Sequence, residues 1–263
     1  MKKIGIIFNE KRKPEAKRPA GEIAGWIKEK KCQAYVNPGD AVLAKGPDFI
    51  LVIGGDGTVL RTADRIAKFS IPLIGVNFGH RGYLCDIEEN EIYSKLEKIL
   101  QGKYKIEERT RICAEVKNKE KIIKEIDGLN EILIGGISRT VFLEMEMADK
   151  DKFLKAAITG DGVLLATETG STGYNVNAGG SILFADLFSI VANNAYFESK
   201  ALVPNVKSFV TSTDAVFKIK ILNDFKENLP FLAADGQRSY RLKKGDSVQI
   251  KKSKYKTIFL KVN

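Results

Sequence analysis

The sequence predicts a chain of two parts: an α/β N-terminal domain with a mainly parallel sheet, then a β-rich C-terminal domain, with the active site in the cleft between them. Three observations carry this expectation. Through the first hundred residues, short apolar runs alternate with amphipathic stretches of helical period, as strand–helix–strand units do. From about residue 105 the hydrophobic period drops to two, and turn-like clusters separate the runs. One apolar run stops abruptly in Gly54-Gly55-Asp56-Gly57-Thr58, and a helix-like pattern starts straight afterwards.

In chain order, Ile4 to Phe8 reads as a short buried strand. A helix follows with Pro19 near its start and Ile23, Trp26 and Ile27 on one face; Trp26, the single tryptophan, is expected to anchor the core. Phe49 to Ile53 is apolar throughout, as in a parallel sheet covered on both faces. Thr58 to Lys68 reads as a helix with Leu60, Ala63 and Ala67 inward, Pro72 to Val76 as a strand, and Ile92 to Leu100 as a helix burying Leu96 and Ile99. Beyond these, Ile112, Ala114 and Val116 alternate with polar neighbours, as do Val141, Leu143, Met145 and Met147, and Phe217, Ile219 and Ile221. The clusters KNKE, ADKDK, NDFKEN and KKGD mark turns between antiparallel strands. The expected domains are 1–102, carrying the glycine–aspartate loop, and 103–263, with the closing ~15 residues free to return to the first.

Bulk properties narrow the function classes. Cys32, Cys85 and Cys113 are an odd number without close pairing, which argues against a disulfide framework and for a reducing compartment. MKKIGIIFNEKRK holds too short an apolar run for a signal peptide, and no stretch approaches the ~20 residues of a membrane span, so a cytoplasmic, membrane-free protein is expected. The net charge of +10 favours anionic partners, but the lysines are spread along the chain and no nucleic-acid-binding pattern accompanies them. His80 is the only histidine, which excludes a multi-histidine metal site and argues against a Ser-His-Asp triad; it reads as a cleft residue or as a loop histidine with a structural hydrogen bond. Cys85 reads as a small buried hydrophobe.

The loop at 54–58 lies where open α/β sheets bind ligands, beyond the carboxyl end of a strand. Its glycines let backbone N–H groups approach phosphate oxygens, and the next helix adds the positive end of its dipole. A carboxylate among phosphates is repelled unless it holds a bridging metal ion or takes a proton from an attacking hydroxyl. Asp56 is therefore a candidate metal-holding or proton-accepting residue of a phosphoryl transfer, with Gly54, Gly55, Gly57, Thr58 and Arg61 as nucleotide-binding residues. The bland alternative is a tight turn with an aspartate cap. Neither a Walker A loop nor a G-x-G-x-x-G fingerprint occurs. Two further segments favour the functional reading. Asn130-Glu131 puts an amide and a carboxylate just before an apolar run, a pairing suited to a base and to ribose hydroxyls. GDGVLLATETGSTGYNVNAGG, 160–180, offers hydroxyls and amides for phosphate or ribose oxygens through Thr169, Gly170, Ser171 and Thr172, and Tyr174 to pack on a base.

These segments, with GVNFGHRGYLCD at 75–86 and Asp235-Gly236-Gln237, resemble in order and spacing the motifs of the NAD kinase family, over nearly the whole chain. The resemblance implies transfer of a phosphoryl group from ATP or polyphosphate, with Mg²⁺ or another divalent metal, to the 2′-hydroxyl of the adenosine ribose of NAD, giving NADP. It makes Asp56 the base, puts Asn130 and Glu131 on the adenosine, Asp161 near the nicotinamide end, and Thr172 and Tyr174 near adenine. Asn77, Tyr83, Asn177 and Asp235 are further expected site residues, and a homodimer or homotetramer is expected. Departures from the family pattern are Glu168 for proline, Arg81 for leucine, Gly173 for alanine, Tyr83 for phenylalanine, Asn177 for serine, and an Asn-Asn variant within VANNAYFESKALVP. The alternatives are a kinase of the same loop class acting on a nucleoside, lipid or sugar phosphate, and a non-catalytic nucleotide sensor, for which the extra charge of Glu168 is the best support.

Overall fold

The computed structural model describes residues 1–78, 82–136, 140–200, 202, 205–223 and 230–263, so His80 and Arg81 lie outside the described residues. The chain divides into two compact units, Met1–Arg109 with Tyr255–Asn263, and Thr110–Lys254.

The first unit runs β1 (Lys3–Phe8), α1 (Lys17–Glu29), β2 (Gln33–Val36), α2 (Asp40–Leu43), β3 (Phe49–Gly54), α3 (Asp56–Ile66), β4 (Leu73–Asn77), β5 (Ile87–Glu88) and α4 (Ile92–Leu100). β1, β2, β3, β4 and β5 pair in parallel. β3 pairs with both β1 and β4, which is why all six of its residues are buried and why it reads as one apolar run. Ile23 and Ile27 of α1 and Leu96 and Ile99 of α4 are sealed into the same core as Ile4, Leu51 and Val76. Trp26 is not a fully buried anchor. It packs half-buried at the rim, with its ring 5.5 Å from that of Tyr93 and the Lys30 ammonium 5.0 Å away. α3 begins at Asp56, two residues ahead of the expected start, because Gly55 takes the extended N-cap conformation; a 3₁₀ turn over Ala67–Phe69 carries on from its end.

The second unit is antiparallel. β6 (Lys105–Asn118), which begins in the first unit, pairs with β7 (Lys121–Gly128). After these come β8 (Glu131–Gly135), β9 (Val141–Asp149), β10 (Lys152–Gly160), β11 (Gly162–Ala166), the one-turn helix α5 (Tyr174–Asn177), β12 (Leu187–Asn193), β13 (Phe197–Glu198), β14 (Ser208–Ser212), β15 (Val216–Ile221), β16 (Phe231–Ala234), β17 (Arg238–Arg241) and β18 (Ser247–Lys261). One sheet orders its strands β14-β12-β11-β8-β16-β17, and in another β13, β10, β9, β15 and the first half of β18 lie side by side. The alternating residues Ile112, Met145, Phe217 and Ile219 form one core with Ile134, Leu165 and Ile190. The far end of β18 belongs to the first unit, where Phe259 pairs with Leu73. Among the described residues no helix is long and apolar enough to cross a membrane.

Candidate active site

In the first unit, β3 delivers the chain to Gly54 and α3 starts at once with Asp56 as its first residue. No side chain caps this N-terminus, and a carboxylate in the first turn suits the helix dipole. Asp56 is held on both oxygens: Oδ2 accepts the Tyr83 N–H and Oδ1 the Leu84 N–H, each at 3.0 Å. Gly82 is packed so closely that a Cβ there would lie 2.2 Å from Asp56 Oδ1. The segment 82–84 thus clasps the carboxylate through backbone alone, and the Tyr83 side chain is left 81% exposed. Thr58 and Asn77 are buried beside this loop, and Asn77 Nδ2 donates to Glu88 while its Oδ1 meets no donor among the described residues. Cys85 Sγ donates to the Gly54 carbonyl, and burial, aided by the Asp56 charge, pushes this thiol up to about 12, so it stays neutral.

Next to Thr58, a cavity of about 370 Å³ is lined by Asn9, Lys11, Arg12, Arg61 and Arg65. Arg65 is committed to Asp40 at 2.8 Å. Burial and then the Arg12 charge lower the Arg61 pKa. Lys13 Nζ donates to the Phe78 carbonyl and fixes the segment following β1. Lys11 and Arg12 join the cavity without belonging to any of the motifs above; their signal in the sequence is the basic run directly after a buried strand.

In the second unit, Glu131 opens β8 and Asn130 directly precedes it. Asp235 sits in the turn between β16 and β17 at φ 51°, and its carboxylate grips the N–H groups of Leu129 (2.8 Å), Asn130 (2.7 Å) and Glu131 (3.2 Å). Burial raises the Asp235 pKa, against the pull of these N–H groups and of the Arg111 cation. Burial, with the Asp235 charge adding to it, pushes the Glu131 carboxyl up to about 7. Asn130 Oδ1 is buried and meets no donor among the described residues.

The 160–180 segment is ordered by its own polar groups. Thr167 Oγ1 donates to the Leu129 carbonyl at 2.6 Å, and a Cβ on Gly170 would lie 2.2 Å from the Asn130 carbonyl oxygen, so the segment rests directly on the Asn-Glu pair. Thr169 to Thr172 form a 3₁₀ turn. Ser171 is fully buried and its hydroxyl is spent on the Glu168 carbonyl and the Leu183 N–H. Thr172, Tyr174 and Asn177 are exposed. Tyr174 Oη accepts from Asn193 at 3.1 Å, and Asp161 Oδ2 from Asn194 at 3.2 Å. Each half of the Asn-Asn variant therefore props one expected site residue.

Among the described residues, only Cys113, Glu125 and Asp127 bring three possible metal ligands within 4.8 Å. A thiol that burial pushes up to about 12 is a poor match for a hard cation such as Mg²⁺. Mg²⁺ keeps several waters and rides on substrate phosphates with one or two carboxylates, so it requires no such cage.

A glycine–aspartate loop heading a helix, beside a basic cavity, on a sheet of parallel strands, defines a nucleotide-dependent kinase of the GGDGT class. Within that class the comparisons are specific. Residues 38–104 match the ATP-NAD kinase N-terminal domain and residues 129–262 the ATP-NAD kinase C-terminal domain. An NAD kinase of Natranaerobius thermophilus is 34% identical over 84% of this chain and 75% of its own. One from Caldanaerobacter subterraneus subsp. tengcongensis is 30% identical over 100% of this chain and 94% of its own. The chain belongs to the ATP-NAD kinase family. The fold is shared with an NAD kinase from Archaeoglobus fulgidus solved with ATP (TM-score 0.71, 20% identity, 98% of this chain and 92% of that one). It is shared also with yeast NADH kinase solved with NADH (TM-score 0.78, 19% identity, 100% and 84%).

Proposed function

We propose that this kinase transfers the terminal phosphoryl group of ATP or polyphosphate to the 2′-hydroxyl of the adenosine ribose of NAD, giving NADP. The observation that carries the reading is the Asp56 carboxylate, fixed by two backbone N–H groups at the head of α3 in a chain of this family. Each oxygen keeps a second lone-pair direction. One of them takes the hydroxyl proton as the ribose oxygen attacks phosphorus and the bridging oxygen leaves with the rest of the donor. The basic cavity of Lys11, Arg12 and Arg61 suits the donor's phosphates, with the Gly54–Thr58 amides beside it. A divalent cation carried by those phosphates neutralises their charge.

In the second unit, Asn130 offers its unused oxygen to the adenosine and Glu131 its carboxylate to ribose hydroxyls, while Thr172, Tyr174 and Asn177 present exposed groups to the base. Asp161, steadied by Asn194, faces the nicotinamide end. The same reading makes the protein a cytoplasmic homodimer or homotetramer that works without nucleic acid or membrane. The test is NADP formation with ATP, other nucleoside triphosphates and polyphosphate, for the wild type and Asp56→Asn. The variant is expected to lose roughly 10²–10⁴-fold in turnover while still binding NAD. Wild-type turnover in the variant sinks the base assignment, and no NADP from any donor sinks the function.

A further inference from the structure

Among the described residues, the largest fully buried side chain is a cation. Arg111, on β6, is 0% exposed. A guanidinium sealed from water is costly and persists where fixed negative charge meets it. The β6–β7 register, with Cys113 opposite Asp127 and Ile112 opposite Gly128, brings Arg111 to the end of β7, where the chain turns through Leu129 and Asn130 into β8. That is where Asp235 lies, close enough that a Cβ on Gly128 would be 2.9 Å from Asp235 Oδ1. The carboxylates of Asp235 and then Asp127 work against the lowering of the Arg111 pKa by burial. The Asp235 carboxylate, which the register puts beside Arg111, in turn holds the three N–H groups of 129–131 and so the Asn130 and Glu131 side chains.

We propose that Arg111 is a positioning residue for the NAD-binding pair: its sealed positive charge holds the Asp235 carboxylate as the acceptor of the three N–H groups that aim Asn130 and Glu131. The inference rests on the proposed NAD site. A buried carboxyl without a cation beside it takes up a proton, and a protonated oxygen accepts fewer N–H bonds. The turn into β8 would then loosen. The charged and titratable groups around the pair are Arg111, Cys113 and Glu115 on β6, Glu125 and Asp127 on β7, Lys251 on β18, and Glu131 and Asp235 themselves, Glu115, Glu125 and Lys251 acting on Cys113. Cys113 stays neutral, so Arg111 is the cation whose removal lets the coupled Asp235–Glu131 pair hold a proton to higher pH.

The experiment compares Arg111→Met and Arg111→Lys with the wild type for the KM of NAD and of ATP, kcat and the pH profile, with Tm as the record of folding. Arg111→Met is expected to raise the KM for NAD roughly tenfold, to leave the KM for ATP within about twofold, and to move the acidic limb of kcat/KM for NAD up by about one pH unit; Arg111→Lys restores most of each. A lower Tm with an unmoved NAD KM and pH limb overturns the proposal, as does an equal rise in both KM values. If Arg111→Met fails to fold, Asp235→Asn takes its place: an NAD-selective rise in KM is expected, and a wild-type NAD KM overturns the inference. Should the wild type form no NADP, which is the failure of the proposed function, calorimetric titration of NAD across pH reads the role of Arg111 on its own.

Discussion

Asp56 and Asp235 make the same kind of contact in the two units, and the difference between them separates a candidate base from an anchor. Asp56 accepts two backbone N–H groups at 3.0 Å, is partly exposed, and stands at a helix N-terminus. Asp235 accepts three at 2.7–3.2 Å, is 9% exposed, and occupies a left-handed backbone conformation that an L-residue adopts at a cost. Two bonds orient a carboxylate and leave directions in which it can accept a proton. Three bonds, burial and a cation behind it use the carboxylate up. An aspartate followed by glycine in a motif therefore does not by itself say which of the two it is.

The sharpest way to break that comparison is to neutralise each aspartate. Asp56→Asn is expected to lower turnover roughly 10²–10⁴-fold with a smaller loss of Tm than at Asp235, because the amide cannot take the proton and keeps one of the two acceptors, setting its NH₂ against a single N–H in a partly exposed site. Asp235→Asn is expected to do the reverse. It loses charge-assisted bonds to three N–H groups and presents an NH₂ where an acceptor stood, costing about 2–4 kcal/mol and several degrees of Tm, with a higher KM for NAD. Thermal melts and steady-state kinetics on the pair decide it. If Asp56→Asn melts early at wild-type turnover per folded molecule, the two residues have exchanged roles.

A smaller effect is expected at Gly170, where the 160–180 segment meets the Asn130 carbonyl. A methyl group there has backbone on the other side and nothing that can swing away. Gly170→Ala is expected to destabilise the second unit by about 1–3 kcal/mol and to weaken NAD more than ATP. Unchanged Tm and NAD KM would mean that the segment does not brace the pair.

What the sequence revealed follows from how local each cause is. The burial of β3 on both faces is written in its own five apolar letters, and α4 was legible over its full span from Leu96 and Ile99. The start of α3 was not, because Gly55, as an N-cap without a side chain, leaves no capping signal. Trp26 was read inward because its position on the α1 face is right, but its size keeps the ring at the rim, where Tyr93 and Lys30 meet it. Ser171 looked like a free hydroxyl, yet its partner Leu183 lies twelve residues on. Arg111 was the least legible. In IEERTRICAEV it looks like a polar, outward-facing residue, and the carboxylates that meet its charge, Asp235 first and then Asp127, lie 124 and 16 positions later.

The smallest expected effect sharpens the contrast on the acceptor side, through the carboxyl of Glu131. Held up to about 7 by burial and by Asp235, this group keeps a proton in the folded chain that the unfolded chain gives up near 4.5. Its share of stability, about 3 kcal/mol in total, is therefore complete below pH 4.5 and is lost as the pH rises through about 7. At the proposed NAD site the slope is opposite: an ionised Glu131 would accept from two ribose hydroxyls where the acid form must also donate, so the KM for NAD is expected to fall several-fold between pH 6 and 8. Glu131→Gln carries no titrating proton, and against it the wild type should lose Tm and gain NAD affinity over the same interval. If the variant follows both wild-type slopes, a different group titrates there, and Asp235, the carboxyl against which Glu131 is coupled, is the next to replace.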